Sequence, residues 1–292
     1  MRNLLLLPVL FASGAFAQDW MATDYTHVDV ADGFYLLVGA DGKMAGGNVG
    51  LMVGDEYVIL IDDGFTQTGE ALFAKVRELS GGRDADFIVN THAHGDHTGA
   101  NQFLAENGSI IVAHDNLRKR MKDDPQQNTG PGALPIVTFS SDMTFHVNGV
   151  EAYVFHVHSA HTDGDAAIEF RGANVIATGD LLFRGIFPFI DLDSGGNVAG
   201  YKKAMQQLID MGDENTQYIS GHGPVATRDG LAADLAMLED AEARVKALMD
   251  KGMGEEQILE ANPLGLYHDQ YSWNFITTER MTQTIIRSLT EK

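Results

Sequence analysis

Thr91-His92-Ala93-His94-Gly95-Asp96-His97-Thr98-Gly99 places three imidazoles and a carboxylate within six residues. The run follows a short apolar stretch, Phe87-Ile88-Val89, that reads as a buried strand. His92 and His94 are two apart, so on an extended or looping segment they face the same way. Asp96 and His97 then come from the turn into the next helix, and Gly95 and Gly99 allow the tight backbone that such a turn needs. A polar loop that happens to be rich in histidine would explain one imidazole. It does not explain four ligand-type side chains at this spacing, which are expensive to pack without a metal. Imidazole nitrogen and carboxylate oxygen suit zinc, manganese or iron, and zinc is the expected ion.

Outward from this run, strand and helix signals alternate. Strands are expected at Phe34–Val38, Leu51–Val53, Tyr57–Ile61, Ile110–Val112, Phe145–Val147, Ala152–Phe155, Ala167–Phe170, Asn174–Ala177 and Gln217–Ile219. Helical spacing covers Thr68–Leu79, Ala100–Asn107, Val198–Met211 and Leu231–Met249, with further helices towards the end. Two similar mixed halves predict a layered α/β fold with central sheets. No Pro/Gly/Ser linker divides the chain, so 18–292 is expected to be one domain with C-terminal helices.

Three further candidates stand alone. His161 lies in Ser159-Ala160-His161-Thr162-Asp163-Gly164-Asp165, Asp180 in Thr178-Gly179-Asp180, and His222 in Ser220-Gly221-His222-Gly223. Each by itself suits a cap or a hydrogen-bonded loop residue. Their shared position at expected strand ends, where α/β scaffolds place ligand sites, favours a functional role.

The order His-x-His-x-Asp-His, a distant His, Gly-Asp and then Gly-His-Gly resembles the metallo-β-lactamase superfamily. The run Leu60-Ile61-Asp62-Asp63-Gly64 is similar to the segment before that family's first helix, and the resemblance spans about Val28 to Pro224. It implies a four-layer αββα sandwich with the site at one edge of two packed sheets. It also implies that His92, His94 and His161 hold one metal, that Asp96, His97 and His222 hold a second, and that Asp180 lies between them. Many β-lactamases of the superfamily carry a cysteine near the place of Asp180. This chain has no cysteine, and Asp180 looks more like the bridging aspartate of glyoxalase II and the lactonases, although some β-lactamases also lack the cysteine.

Two divalent ions sharing a water lower its pKa from about 15.7 towards 7. The expected reaction is hydrolysis of a small cyclic amide or ester (β-lactam-like) by a metal-bound hydroxide that Asp96 orients. A lactone or a glyoxalase II-type thioester is the alternative substrate, and mononuclear iron persulfide dioxygenation is the alternative chemistry. The di-iron flavoproteins of the same fold typically have a glutamate near the place of His94. No Gly-x-Ser-x-Gly elbow is present. A purely structural metal module is disfavoured, because seven ligands around two metals leave positions open.

Arg184, four residues after Asp180, is a candidate for an acidic group on the substrate. Phe183, Phe187, Phe189 and Ile190 suit either a pocket wall or the core, as do Trp20 and Met21, while Tyr201 reads as core. His114, His146, His156, His158 and His268 fall outside the motif and are expected in strand or loop roles.

The N-terminus reads as a leader. Arg2 gives a basic start, Leu4 to Ala12 an apolar run, and Ala15-Phe16-Ala17 a cleavage site, so 1–17 is the expected signal peptide and Gln18 the mature start. The run is shorter than the roughly 20 residues of a membrane span, which makes the mature chain periplasmic or secreted. Net charge is −21, and the loss of Arg2 makes it −22 (−21 − 1). A surface this acidic repels phosphate backbones, which argues against nucleic acid and leaves a small molecule as the expected partner. The sequence leaves the oligomeric state open.

Overall fold

The computed structural model describes residues 21–123 and 130–291. The expected leader and Trp20 lie outside the described residues. The first half of the chain builds a seven-stranded sheet in sequence order. Its strands are β1 (Tyr25–Ala31), β2 (Phe34–Gly39), β3 (Val49–Val53), β4 (Val58–Ile61), β5 (Phe87–Val89), β6 (Ile110–His114) and β7 (Val137–Phe139). Pairing is antiparallel from β1 to β4 and parallel from β4 to β7. The second half builds a six-stranded sheet in the order β13-β12-β11-β10-β9-β8. These are β8 (Asp142–Val147), β9 (Val150–Val157), β10 (Asp165–Arg171), β11 (Val175–Phe183), β12 (Gln217–His222) and β13 (Ala226–Thr227).

Side-chain alternation makes the layers. Leu36, Met52, Ile59, Ile61 and Val89 point from the first sheet into the core between the sheets, where they meet Val154, Ile168, Phe170 and Ile219. Their neighbours Leu37, Leu51, Leu60 and Ile88 point the other way, against Leu72 and Val76 of α1 (Gly69–Leu79). A strand buried on both faces reads as a continuous apolar run, which is why β4 is Val-Ile-Leu-Ile. Short helices α2 (Gly95–Thr98), α3 (Asn101–Glu106) and α4 (Asp115–Asp123) follow in the first half. The second sheet is covered by α5 (Val198–Met211) and α6 (Arg228–Met249), whose Leu208 and Leu238 share its outer core. After α7 (Glu255–Ala261) and α8 (His268–Tyr271), α9 (Thr278–Thr290) adds Met281 and Ile285 to the same cluster. The result is the expected αββα sandwich. Among the described residues no helix is long and apolar enough to cross a membrane.

Three local features depart from the sequence reading. β1 was not expected, because it is an edge strand whose middle residues are exposed, with Tyr25 its buried anchor. α4 was not expected either, because four of its nine residues are basic and only Leu117 and Met121 are buried. Asp180 does not end a strand. β11 runs on to Phe183, and its pairing with β12 shifts register on both sides of Gly179, which has φ +50°. Such an irregularity re-aims side chains within a strand, here the side chain of Asp180.

Candidate metal centre

The site forms where the two sheets meet at one edge. Asn48, just before β3, donates from its backbone N–H to Gly221 O at 2.7 Å and from Nδ2 to Ser220 O and Gly223 O at 2.8 and 2.7 Å. These bonds clamp the end of β12 to the first sheet and bring His222 over the loop after β5. That loop carries His92 and His94, and α2 carries Asp96 and His97. His161 arrives from the β9–β10 connection.

All seven expected site residues come together, in two sets whose donor atoms lie within 4.8 Å of one another: His92, His94, His161 and Asp180, and Asp96, His97 and His222. Asp180 stands between the sets. Its Oδ2 lies 3.4 Å from His161 Nε2 and 3.7 Å from His92 Nε2. Its Oδ1 lies 3.1 Å from His97 Nε2 and 3.5 Å from His222 Nε2. Asp96 Oδ2 completes the second set, 3.4 Å from His222 Nε2 and 3.6 Å from His97 Nε2. Close backbone passage is part of this geometry. A Cβ on Gly221 would sit 2.1 Å from Asp180 Oδ1, and one on Gly47 would sit 2.1 Å from His97 Cε1.

The rear nitrogens of the rings are held from behind. His97 Nδ1 bonds Asp62 Oδ2 at 2.8 Å, and Asp62 is fixed by Thr91 N–H at 2.7 Å and Thr91 Oγ1 at 2.8 Å. His94 Nε2 bonds Asp191 Oδ2 at 2.9 Å, His161 Nδ1 bonds Phe189 O at 2.8 Å, and His92 Nδ1 meets Thr91 Oγ1 at 3.0 Å. An N–H donated to a carboxylate or carbonyl leaves the other ring nitrogen as a lone pair aimed into the site. Asp62, His92 and His97 also approach as a third group. Because both oxygens of Asp62 are already engaged, it supports His97 from the rear.

The donor atoms fit divalent ions. His92 Nε2 and Asp180 Oδ1 are buried without a hydrogen-bond partner, a costly state for a polar atom. With its rear N–H donated, His161 turns Nε2 on His94 Nδ1 at 2.9 Å. Two facing lone pairs repel unless a cation or a proton lies between them.

The electrostatics agree. Burial pushes the Asp180 carboxyl up, but His97, His222, His92 and His161 outweigh it and hold it well below the ordinary range. Burial likewise opposes Asp96, yet His97 and His222 bring its pKa down to about 2. Burial lowers His222, while Asp180 and Asp96 raise it to about 9. Burial, with His94 and His97 adding, lowers His161 to about 4 against the pull of Asp180. Two firmly anionic carboxylates among imidazoles make a site that demands positive charge.

The centre forms the floor of a cavity of about 970 Å³, where His94, Asp96, Asp180 and His222 are open to it. Met44, Phe65, Phe183, Phe189, Trp273 and Phe275 line it as well. Phe189 therefore belongs to the wall and Phe183, itself packed in the core, reaches it, whereas Phe187 and Ile190 are buried core, as is Tyr201. Met21 forms an isolated bridge with Met44. Arg184 does not line the cavity. Its Nη1 donates to Asp234 of α6 at 3.0 Å, because the buried Asp234 carboxylate needs a cation. The expected substrate contact is replaced by this ion pair. Arg184 N–H donates to His222 O at 2.9 Å, so the pair braces the His222 loop instead.

His114 and His156 stack face to face at 3.7 Å between centroids, and His158 follows β9. His146 is in β8 and His268 opens α8. Sequence reasoning gave no role to Asp62, Asp191 or the segment Trp273–Phe275. Asp62 lies in a noted run, but its role depends on a contact 35 residues away.

Comparison with known proteins agrees with this geometry. A Bacillus subtilis protein described as "Probable metallo-hydrolase YqgX" is 24% identical over 184 residues, covering 61% of this chain and 85% of that protein. A metallo-beta-lactamase from Pontibacter korlensis has a similar fold, with TM-score 0.63 and 17% identity over 74% of this chain and all of the other. A double mutant of the sec-alkyl sulfatase PisA1 reaches TM-score 0.70 at 14% identity, over 91% of this chain and 50% of that one. The sequence profile described as the Metallo-beta-lactamase superfamily matches residues 43–222, more than half of the chain and every residue of the two ligand sets. With profile, fold and ligand geometry in agreement, the chain belongs to the metallo-β-lactamase superfamily.

Proposed function

We propose that the mature chain acts outside the cytoplasm as a hydrolase that opens a small cyclic amide or ester with two divalent ions, zinc first among them. The observation that carries this reading is Asp180, whose two oxygens each face one set of donors. His92, His94 and His161 would hold one ion, and Asp96, His97 and His222 the other, with Asp180 between them.

Ions so placed would supply an activated water at neutral pH and polarise the scissile carbonyl. The chain's own part is positional. The Asp96 side chain is 26% exposed and lines the cavity, and its low pKa keeps it an anionic acceptor of hydrogen bonds at neutral pH. By accepting a hydrogen bond it would orient the attacking water in the cavity that Asp96 and Asp180 both line. The second reading, a lactone or thioester, is favoured by the carboxylate at 180 and by the apolar wall. Mono-iron sulfur oxidation would leave Asp96 and His97 without a metal.

The test is a hydrolysis screen of a β-lactam, a lactone and a thioester on the purified mature protein, with Asp96→Ala as control. Cleavage lost in the control supports the hydrolase. An intact set of all three substrates, with one iron per chain, overturns it.

A further inference from the structure

We infer that Trp273–Phe275 selects the substrate, favouring one whose non-reacting part is an uncharged apolar chain or ring and disfavouring one with a carboxylate there. The inference rests on the hydrolase reading for the bond that breaks, and on the cavity wall alone for the part that is recognised.

An aromatic row leads away from the metal centre. Phe183 stacks on His222 with centroids 4.7 Å apart and planes 16° apart. Trp273 follows at 6.2 Å from Phe183, Phe275 at 5.6 Å from Trp273, and Phe189 at 5.1 Å from Phe275. Phe275 is 44% exposed and Met44, on the same cavity, 46%. Grouped large apolar side chains left open around a cavity mark a binding surface.

The row is anchored on both sides. Trp273 Nε1–H donates to Phe187 O at 2.9 Å, and the Trp273 N–H to Ile276 O at 3.1 Å. Ile276 is buried. Arg280 Nη1 donates to Phe275 O at 2.9 Å, and its guanidinium lies 4.1 Å from the Phe275 ring centroid and 5.4 Å from that of Phe189. Thr277 caps α9 through Arg280 N–H at 3.1 Å. A wall fixed in advance loses little entropy on binding.

The charges point the same way. No lysine or arginine lines the cavity among the described residues. Arg280 is engaged with the backbone and the rings, and Arg184 with Asp234. A carboxylate on the substrate would find no cationic partner there and would approach a chain of net charge −21. Trp273 and Phe275 also lie beyond the profile-matched segment 43–222, whereas Met44, Phe65, Phe183 and Phe189 lie within it, so it is the 273–275 part of the wall that stands apart from the shared ligand motif.

The test compares γ-butyrolactone, γ-decalactone and a γ-decalactone analogue whose tail ends in a carboxylate. KM is read by hydrolysis. Affinity is read by calorimetry with the corresponding γ-lactams, whose unstrained amides resist cleavage far more than lactones do. Each methylene the wall covers contributes about 4-fold, so the long neutral compound is expected to bind at least about 50-fold more tightly than the short one, with the carboxylate-ended compound near the short one. Trp273→Ala/Phe275→Ala should cut the long-to-short ratio below about 5-fold. Phe275→Leu should keep most of it, and Phe275→Lys should favour the carboxylate-ended tail. A wild-type ratio near one, or tighter binding of the carboxylate-ended compound, overturns the inference. Length-dependent lactam binding without lactone cleavage would leave the wall standing and sink lactone hydrolysis. Equal cleavage of long and short lactones would do the reverse.

Discussion

The floor and the wall of the cavity are built on opposite principles. On the floor, His92, His97, His161 and Asp180 are nearly or fully buried, and their rings are held from behind by side chains or carbonyls. On the wall, the side chains are mostly apolar, Met44 and Phe275 are exposed, and the segment 273–275 comes from between two late helices, beyond the profile-matched region. The floor sets which bond can break. The wall sets which molecule is held against it. One can therefore diverge while the other stays constant, and a superfamily motif with high chemical specificity leaves the substrate open.

The sharpest way to break this division is through the floor. Asp96→Ala should lower kcat/KM by about 10²–10⁴-fold, the range for losing a group that positions the nucleophile, while lactam affinity at the wall changes little. A comparable loss of lactam affinity would show that floor and wall are not separable. Asp62→Ala removes the rear partner of His97, and Asp191→Ala that of His94. Each should reduce metal affinity by about 10–100-fold, as read by chelator competition. Unchanged affinity in both would mean that the rear contacts do not orient the rings.

A smaller effect separates the brace from the chemistry. Asp234→Ala leaves Arg184 unpaired behind the His222 loop and should destabilise the fold by about 3 kcal/mol, read by urea titration. Loss of activity without loss of stability would return Arg184 to the substrate. The mildest test is pH on metal-stripped protein. The His222 pKa is raised from 6.5 to about 9 by its carboxylate neighbours, so the folded state holds that proton more tightly than the unfolded state. The resulting stability is complete below pH 6.5 and disappears as pH rises to about 9. The loaded protein, in which ions replace the proton, should stay flat over that interval.

The same division explains what could be read in the sequence. Continuous apolar runs such as Val58–Ile61 betrayed the central strands, and the His/Asp runs betrayed the floor, because few other arrangements justify such residues at such spacing. The edge strand β1 and the basic helix α4 gave little signal, since each buries few side chains. Phe187 in the core and Phe189 on the wall are two residues apart and chemically identical, so only packing tells them apart. The pairing of Arg184 was hidden for a similar reason: proximity to Asp180 in sequence says nothing of Asp234, fifty residues on.

If Asp180 lies between two ions, metal counts on the purified mature protein beside Asp180→Ala should give two divalent ions per chain in the wild type and one or fewer in the variant. A single ion per chain, retained unchanged when Asp180 is replaced, would contradict that placement.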